Sequence, residues 1–320
     1  MEIFLSVLFF IIGIVFVVKG GDFFVDAASW IAEVSGIPKL IIGATVVSVA
    51  TTLPEMLVSI MAATQGKVDM SIGNAVGSVT ANIGLIMAIS LMFMPGIIKR
   101  KDYLAKSLMM IGATATIIVC GLFGEIRIVP CIILLVIFAV FLFENVSSAK
   151  KEMTGENKKE KDPDLTKKKT VIVNIIKFIV GAAGIVWGAQ LLVDNGSKLA
   201  AIFGVPERVI GVTLVAVGTS LPELITTITA IAKKQSALSV GNIIGANIMD
   251  LTLIMPLSSI ISGKALPVAA QTAMVDFPAC LLVGLIAVVP ALITSKFKRW
   301  QGFALIGVYA AYIVITCFVV

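Results

Sequence analysis

The chain has 320 residues, 58% of them hydrophobic and 14% charged, with a mean hydropathy of +1.07 and a formal net charge of +6. A soluble domain carries roughly 25% charged residues, so this chain lacks the polar surface to cover one water-facing core, which excludes soluble enzymes and nucleic-acid binders. Long apolar runs in place of period-2 alternation exclude a β-barrel, and the absence of histidine excludes His-based metal sites, His proton relays and Ser-His-Asp chemistry.

A helix needs about 20 apolar residues to cross a bilayer. Ten such runs follow one another: 3–32, 40–65, 70–94, 104–124, 128–144, 171–200, 208–232, 238–262, 269–294 and 302–320. The first lacks a basic start and continues into Lys19, Gly20, Gly21 and Asp22, so it reads as a crossing and not as a cleaved leader. The first and sixth are long and carry charge in their second halves, which implies tilt or extension into the interface. Cys120, Cys131, Cys280 and Cys317 are scattered through apolar runs and read as buried thiols. Ser147–Lys169, rich in Lys and Glu, reads as a solvated linker. The expected organisation is a five-helix segment over 1–146, a linker over 147–170 and a second five-helix segment over 171–320.

Lys and Arg set the orientation. Loops on the linker side hold eighteen of them, including Lys39, Lys99, Lys233, Lys296 and eight lysines from Lys150 to Lys169. The opposite loops hold four: Lys67, Arg127, Arg208 and Lys264. Positive charge stays inside, so the linker is expected in the cytoplasm of a prokaryotic plasma-membrane protein, with both termini outside.

Shifting the sequence by 168 residues aligns Gly20–Ala88 with Gly188–Pro256 without a gap, and 25 of 69 pairs are identical. They include Asp26/Asp194, Pro54/Pro222, Glu55/Glu223, Gly73/Gly241, Asn74/Asn242 and Gly77/Gly245. The chain is a duplication. Five crossings per copy, an odd number, insert the second copy from the opposite face, the inverted-repeat plan of secondary transporters with a site near the midplane. The fold class expected is an all-α polytopic membrane protein of ten helices in two inverted repeats, with broken helices at a central site.

Residues 43–55 read GATVVSVATTLPE and residues 211–223 read GVTLVAVGTSLPE. Each places hydroxyls, a proline and a glutamate within a crossing. Proline removes one N–H and clashes with the carbonyl four residues earlier, here Ala50 or Gly218. Irregular backbone at membrane depth is tolerated only beside protein or a wet cavity. Thr51, Thr52, Thr219, Ser220, Glu55 and Glu223 then form a set of hard oxygen ligands, suited to Na⁺ and Ca²⁺ and not to soft metals. In the next crossing of each copy, Asn74, Ser78 and Asn82 fall on one helical face, as do Asn242, Ala246 and Asp250. The glycines at 73, 77, 241 and 245 allow close helix approach. Helix packing and kinks alone would account for the glycines and hydroxyls. Glu55, Glu223 and Asp250 demand more, because intramembrane carboxylates are expensive and functional by default. Asp26 and Asp194 read as structural or interfacial, and Lys19 and Lys198 as snorkelling.

These doubled motifs resemble the α-repeats of the cation/calcium antiporter superfamily, specifically its prokaryotic sodium/calcium exchanger-like branch, with signatures close to G-T-S-L-P-E and G-N-x-x-G-S-N. The resemblance covers the whole chain. It implies ten helices and four central cation sites in a diamond. By position, Glu55, Asn82, Glu223 and Asp250 would surround the centre. Thr51, Thr52 and Ser78, with the Ser48 carbonyl, would serve one flank, and Thr219 and Ser220, with the Ala216 carbonyl, the other. The first copy reads Ala-Thr-Thr where the pattern has Gly-Thr-Ser, and Ala246 stands where the pattern has serine, which bears on one flanking Na⁺ site and on the coupling ratio. The glutamate of proton/calcium exchangers after Asn-x-x-Gly is absent, since Ser78 and Ala246 stand there. The function implied is Ca²⁺/Na⁺ antiport by alternating access, with Ca²⁺ and Na⁺ as transported ions, a lipid bilayer around the chain, no cofactor, no enzymatic activity, no nucleic acid and no obligate protein partner. Ca²⁺/H⁺ antiport is the alternative within the class, since three carboxylates can protonate. A passive cation channel would normally draw its pore from several subunits. An intramembrane hydrolase would need a nucleophile–base pair that the motifs lack.

Overall fold

In hydrocarbon every backbone N–H and C=O must be satisfied within its own segment, so apolar runs of this length fold as helices. The computed structural model describes residues 2–96, 100–154, 163–204 and 216–318. Within them helices stand at all ten expected runs: α1 Glu2–Ser35, α2 Lys39–Thr64, α3 Val68–Phe93, α4 Arg100–Leu122, α5 Ile128–Thr154, α6 Lys168–Ile202, α7 Leu221–Ala232, α8 Ser236–Ser262, α9 Thr272–Thr294 and α10 Arg299–Phe318. Among the described residues eight of these, all but α7 and α10, are long and apolar enough to cross a membrane. The protein is an all-α polytopic membrane protein. In their apolar windows α3 and α8 are 72% and 83% buried, whereas α1 and α6 are 22% and 17% buried. The first two therefore sit inside protein, and the last two leave most of their surface uncovered by it.

The start of the seventh run, including Arg208 and Gly211, lies outside the described residues, as do residues 155–162 of the expected linker. That linker is shorter than its charge suggested. Helix α5 continues to Thr154, and a 3₁₀ turn, Pro163–Thr166, precedes α6 at Lys168. Glu, Ala, Lys and Met between 144 and 153 favour helix, and the Ser148 hydroxyl donates to Glu144 Oε1 at 3.0 Å across one turn. Charge there marks exposure, not the absence of helix.

The chain forms two compact units, Met1–Thr51 with Phe143–Asn242, and Thr52–Leu142 with Ile243–Val320. Each takes segments from both copies of the repeat, so the duplication does not divide the fold into two halves. The first unit is built on α1 lying along α6, two helices of 34 and 35 residues. Glycines make the seam. A Cβ on Gly13 would meet the Gly188 carbonyl oxygen at 3.0 Å, and a Cβ on Gly181 would meet the Gly20 carbonyl oxygen at 2.9 Å. The 168-residue shift turns Gly13 into Gly181 and Gly20 into Gly188, so the two contacts are images of each other. In the same unit Gly43 packs on the backbone of Leu238 and Asn242, and Gly241 on that of Leu40 and Ala44. Lys233 Nζ reaches Asp26 Oδ1 at 2.8 Å and Asp22 Oδ1 at 3.3 Å, which gives Asp26 a structural role. Asp194, Lys19 and Lys198 are exposed.

In the second unit Gly84 packs on the Tyr309 ring, Gly302 on Ala88 and Met92, and Gly121 on Phe277. A two-residue bridge, β1 Glu125–Ile126 with β2 Leu266–Pro267, ties the α4–α5 and α8–α9 loops antiparallel. Gly73 and Gly77, expected at close helix contacts, have nothing within 4 Å of a built Cβ among the described residues. Cys120, Cys131 and Cys280 are buried and free, as expected, and the Cys317 side chain lies outside the described set.

Candidate functional site

Among the described residues four helices depart from 3.6-residue geometry, and three do so at the motifs. A π-helical turn, Gly43–Val47, precedes Ser48 in α2. Others begin at Asn82 in α3 and at Asp250 in α8, positions equivalent in the duplication. The fourth, Thr272–Asp276, opens α9. A π turn inserts an extra residue and re-aims the face that follows, and such turns are frequent at functional sites. The expected break takes two forms. In the second copy a helical turn, Ala216–Thr219, ends at Ser220, and α7 restarts with Pro222 in its first turn, where no N–H is needed. In the first copy the helix runs through Pro54, and the irregularity lies upstream in the π turn.

The expected ligands are buried. Ser48, Thr52, Asn82 and Ser220 are 0% exposed, Glu55, Ser78, Glu223 and Asp250 1%, and Thr51 2%. Thr219 is half-buried, and Ala216 opens the helical turn. The first unit holds Ser48, Thr51, Ala216, Thr219, Ser220 and Glu223; the second holds Thr52, Glu55, Ser78, Asn82 and Asp250. In the first unit the Thr51 hydroxyl lies 3.3 Å from the Ser48 carbonyl and 3.2 Å from Asn242 Oδ1. A residue of the first copy is thereby braced by one of the second. In the second unit Asn74 Nδ2 donates to the Glu55 carbonyl at 3.1 Å and to Ser59 Oγ at 2.8 Å, which fixes the turn that carries the Glu55 side chain. Asn242 was placed on a ligand-bearing face in the sequence but its contact with Thr51 was not foreseen, and Ser59 was not singled out. Ser59 could have been, because Thr227 is its repeat equivalent and both hydroxyls lie one turn beyond the glutamate and are fully buried.

Ser78 Oγ, both amide atoms of Asn82, Ser220 Oγ and Asn242 Nδ2 are buried without a hydrogen-bond partner among the described residues. A buried, unsatisfied polar group costs about 1–3 kcal/mol, and such groups in native proteins call for a water or an ion. The oxygens in this set are hard donors that fit Na⁺ or Ca²⁺. Among the described residues no three acidic, cysteine or histidine side chains group closely enough to hold a metal alone. Any cation held here therefore depends on hydroxyl, amide and carbonyl oxygens as well as carboxylates.

The family model for sodium/calcium exchanger proteins matches residues 5–146 and 173–318. The chain belongs to the sodium/calcium exchanger family. Sodium/calcium exchanger MaX1 of Methanosarcina acetivorans is 30% identical over 98% of both chains. A membrane protein of Methanocaldococcus jannaschii is 33% identical over 95% of this chain and 96% of its own. A solved structure of the sodium–calcium exchanger NCX_Mj, soaked with Na⁺ and Sr²⁺, superposes with a TM-score of 0.82 at 30% identity, covering 98% of this chain and 99% of its own. A family placement over both copies agrees with the duplication, and the relatives bearing a functional name are transporters.

Proposed function

We propose that the protein is a secondary antiporter that exchanges Ca²⁺ for Na⁺ by alternating access. Glu55, Glu223, Asp250, Asn82, Thr51, Thr52, Ser78, Thr219 and Ser220, with the Ser48 and Ala216 carbonyls, bind the ions. The observation that carries this reading is the placement of Glu55 and Glu223 at equivalent positions of a duplicated motif, each 1% exposed in an apolar helix. Supporting it are the orphaned oxygens of Ser78 and Asn82 on α3 and of Ser220 just before α7 and the relatives named for Na⁺/Ca²⁺ exchange. Hydroxyl and carbonyl oxygens suit Na⁺; the paired carboxylates suit Ca²⁺, which prefers charged oxygen ligands. The excess of Lys and Arg on the linker side puts that face in the cytoplasm and both termini outside.

Ions that share one set of ligands compete. ⁴⁵Ca²⁺ binding to the purified protein is expected to be displaced by Na⁺ and unaffected by K⁺. Ca²⁺ binding that Na⁺ leaves unchanged would overturn the reading, and displacement by H⁺ alone would favour Ca²⁺/H⁺ exchange.

A further inference from the structure

The second unit holds an intramembrane carboxylate outside the duplicated stretch and outside the proposed ligand set. Asp276 closes the π-helical turn Thr272–Asp276 of α9 and is 9% exposed. The Tyr312 hydroxyl of α10 donates to its Oδ1 at 3.2 Å. The buried Thr272 stands one turn earlier on the same helix. The Tyr309 ring stands 6.2 Å from that of Tyr312. Helix α4 brings Gly121 against the neighbouring Phe277. One turn further along α9, Cys280 lies in reach of the Thr80 hydroxyl from α3 and the Thr114 hydroxyl from α4, and both Asp250 and Asp276 act on it electrostatically. The titratable groups facing Asp276 are thus Tyr312 and Tyr309 from α10, Cys280 on its own helix and, beyond Cys280, Asp250. Among the described residues no Lys or Arg pairs with it.

Neutral donors solvate a carboxylate only in part, and an unpaired charge at this depth is expensive. Binding a proton removes the charge and turns the group into a donor. We propose that Asp276 is a proton-binding site within the membrane, through which pH acts on transport. The proton comes from water and bonds to a carboxylate oxygen of Asp276; no other bond changes. Tyr312, as a donor to the carboxylate, favours its ionised form, so removing that hydroxyl moves the titration to higher pH.

The full chain in proteoliposomes gives two readouts. The first is the carboxylic C=O band in pH-difference infrared spectra; the second is the pH profile of Na⁺-driven Ca²⁺ uptake. Asp276→Asn is expected to remove one titrating band and one inflection of the profile. Tyr312→Phe is expected to move both to higher pH. A parent-like band and profile in Asp276→Asn would overturn the proposal, as would loss of the band with an unchanged profile. If Asp276→Asn does not fold, an unmoved midpoint in Tyr312→Phe overturns it. Only the uptake readout rests on the exchange reading. Absent Na⁺-driven uptake in the parent would sink that reading, while the infrared titration would still decide whether Asp276 binds the proton.

Discussion

Glu55 and Glu223 each follow a proline in a segment that apolar residues surround, and each is backed by a hydroxyl one turn away, Ser59 or Thr227. Glutamine keeps their size and removes the charge that a divalent ion needs. Glu55→Gln and Glu223→Gln are each expected to lower Ca²⁺ flux at least tenfold, about 1.4 kcal/mol in binding terms, as read by ⁴⁵Ca²⁺ uptake; near-parental flux in either would show the assignment to be wrong. Asp250 has a different standing, because its repeat equivalent is the amide Asn82. Three ionised carboxylates carry −3, which one Ca²⁺ reduces only to −1, and such an excess in low dielectric is removed by protonation. Asp250→Asn is therefore expected to keep Ca²⁺ binding within about tenfold while altering its Na⁺ and pH dependence. Loss of Ca²⁺ binding in a correctly folded Asp250→Asn protein would make Asp250 an ionised ligand. The carboxylates were legible in the sequence because a charge in an apolar run stands out and the duplication doubles it. The braces were not. Asn242 meets Thr51, and Asn74 meets Ser59, across segments that only packing brings together.

Apolar run length revealed the crossings, because it decides them, but not the end of α5, which runs past the expected 144 to Thr154. It did not reveal the π turns, since one extra residue leaves composition unchanged and shifts only the face that follows. Nor did it reveal the α1–α6 seam, where Gly13, Gly20, Gly181 and Gly188 let backbones touch. A Cβ on Gly181 would come within 2.6 Å of the Phe24 nitrogen, whereas one on Gly112 of α4 would meet nothing within 4 Å. Gly181→Ala is expected to destabilise the protein by about 1–3 kcal/mol through overpacking. Gly112→Ala is expected to be neutral or mildly stabilising, because alanine favours helix by about 1 kcal/mol. Melting temperatures in detergent give the comparison, and equal values for the two variants would count against the seam. In the proposed exchange α1 and α6 slide as this pair. Cysteines introduced on opposite faces of the two helices should then change their labelling in opposite senses when Na⁺ replaces Ca²⁺, and labelling that ignores the ion would refute the motion.

Over the whole molecule, both compact units draw on both copies of the repeat. The duplication is visible as a 168-residue shift, whereas the interleaving is a property of long-range contact that no local pattern records. Equivalent residues end up with unequal surroundings: Asn74 braces the Glu55 turn of its own copy, and Asn242 accepts from Thr51 of the other. The expected boundary at the linker also gave way, because helix propensity carries α5 through charged residues to Thr154. The central claim is coupled Na⁺/Ca²⁺ exchange, and vesicle flux tests it most directly. Purified protein in proteoliposomes should accumulate ⁴⁵Ca²⁺ when an outward Na⁺ gradient is imposed at clamped pH, and should not do so under a K⁺ or pH gradient alone. Uptake driven by the pH gradient and indifferent to Na⁺, or uptake that needs no counter-gradient, would contradict the account.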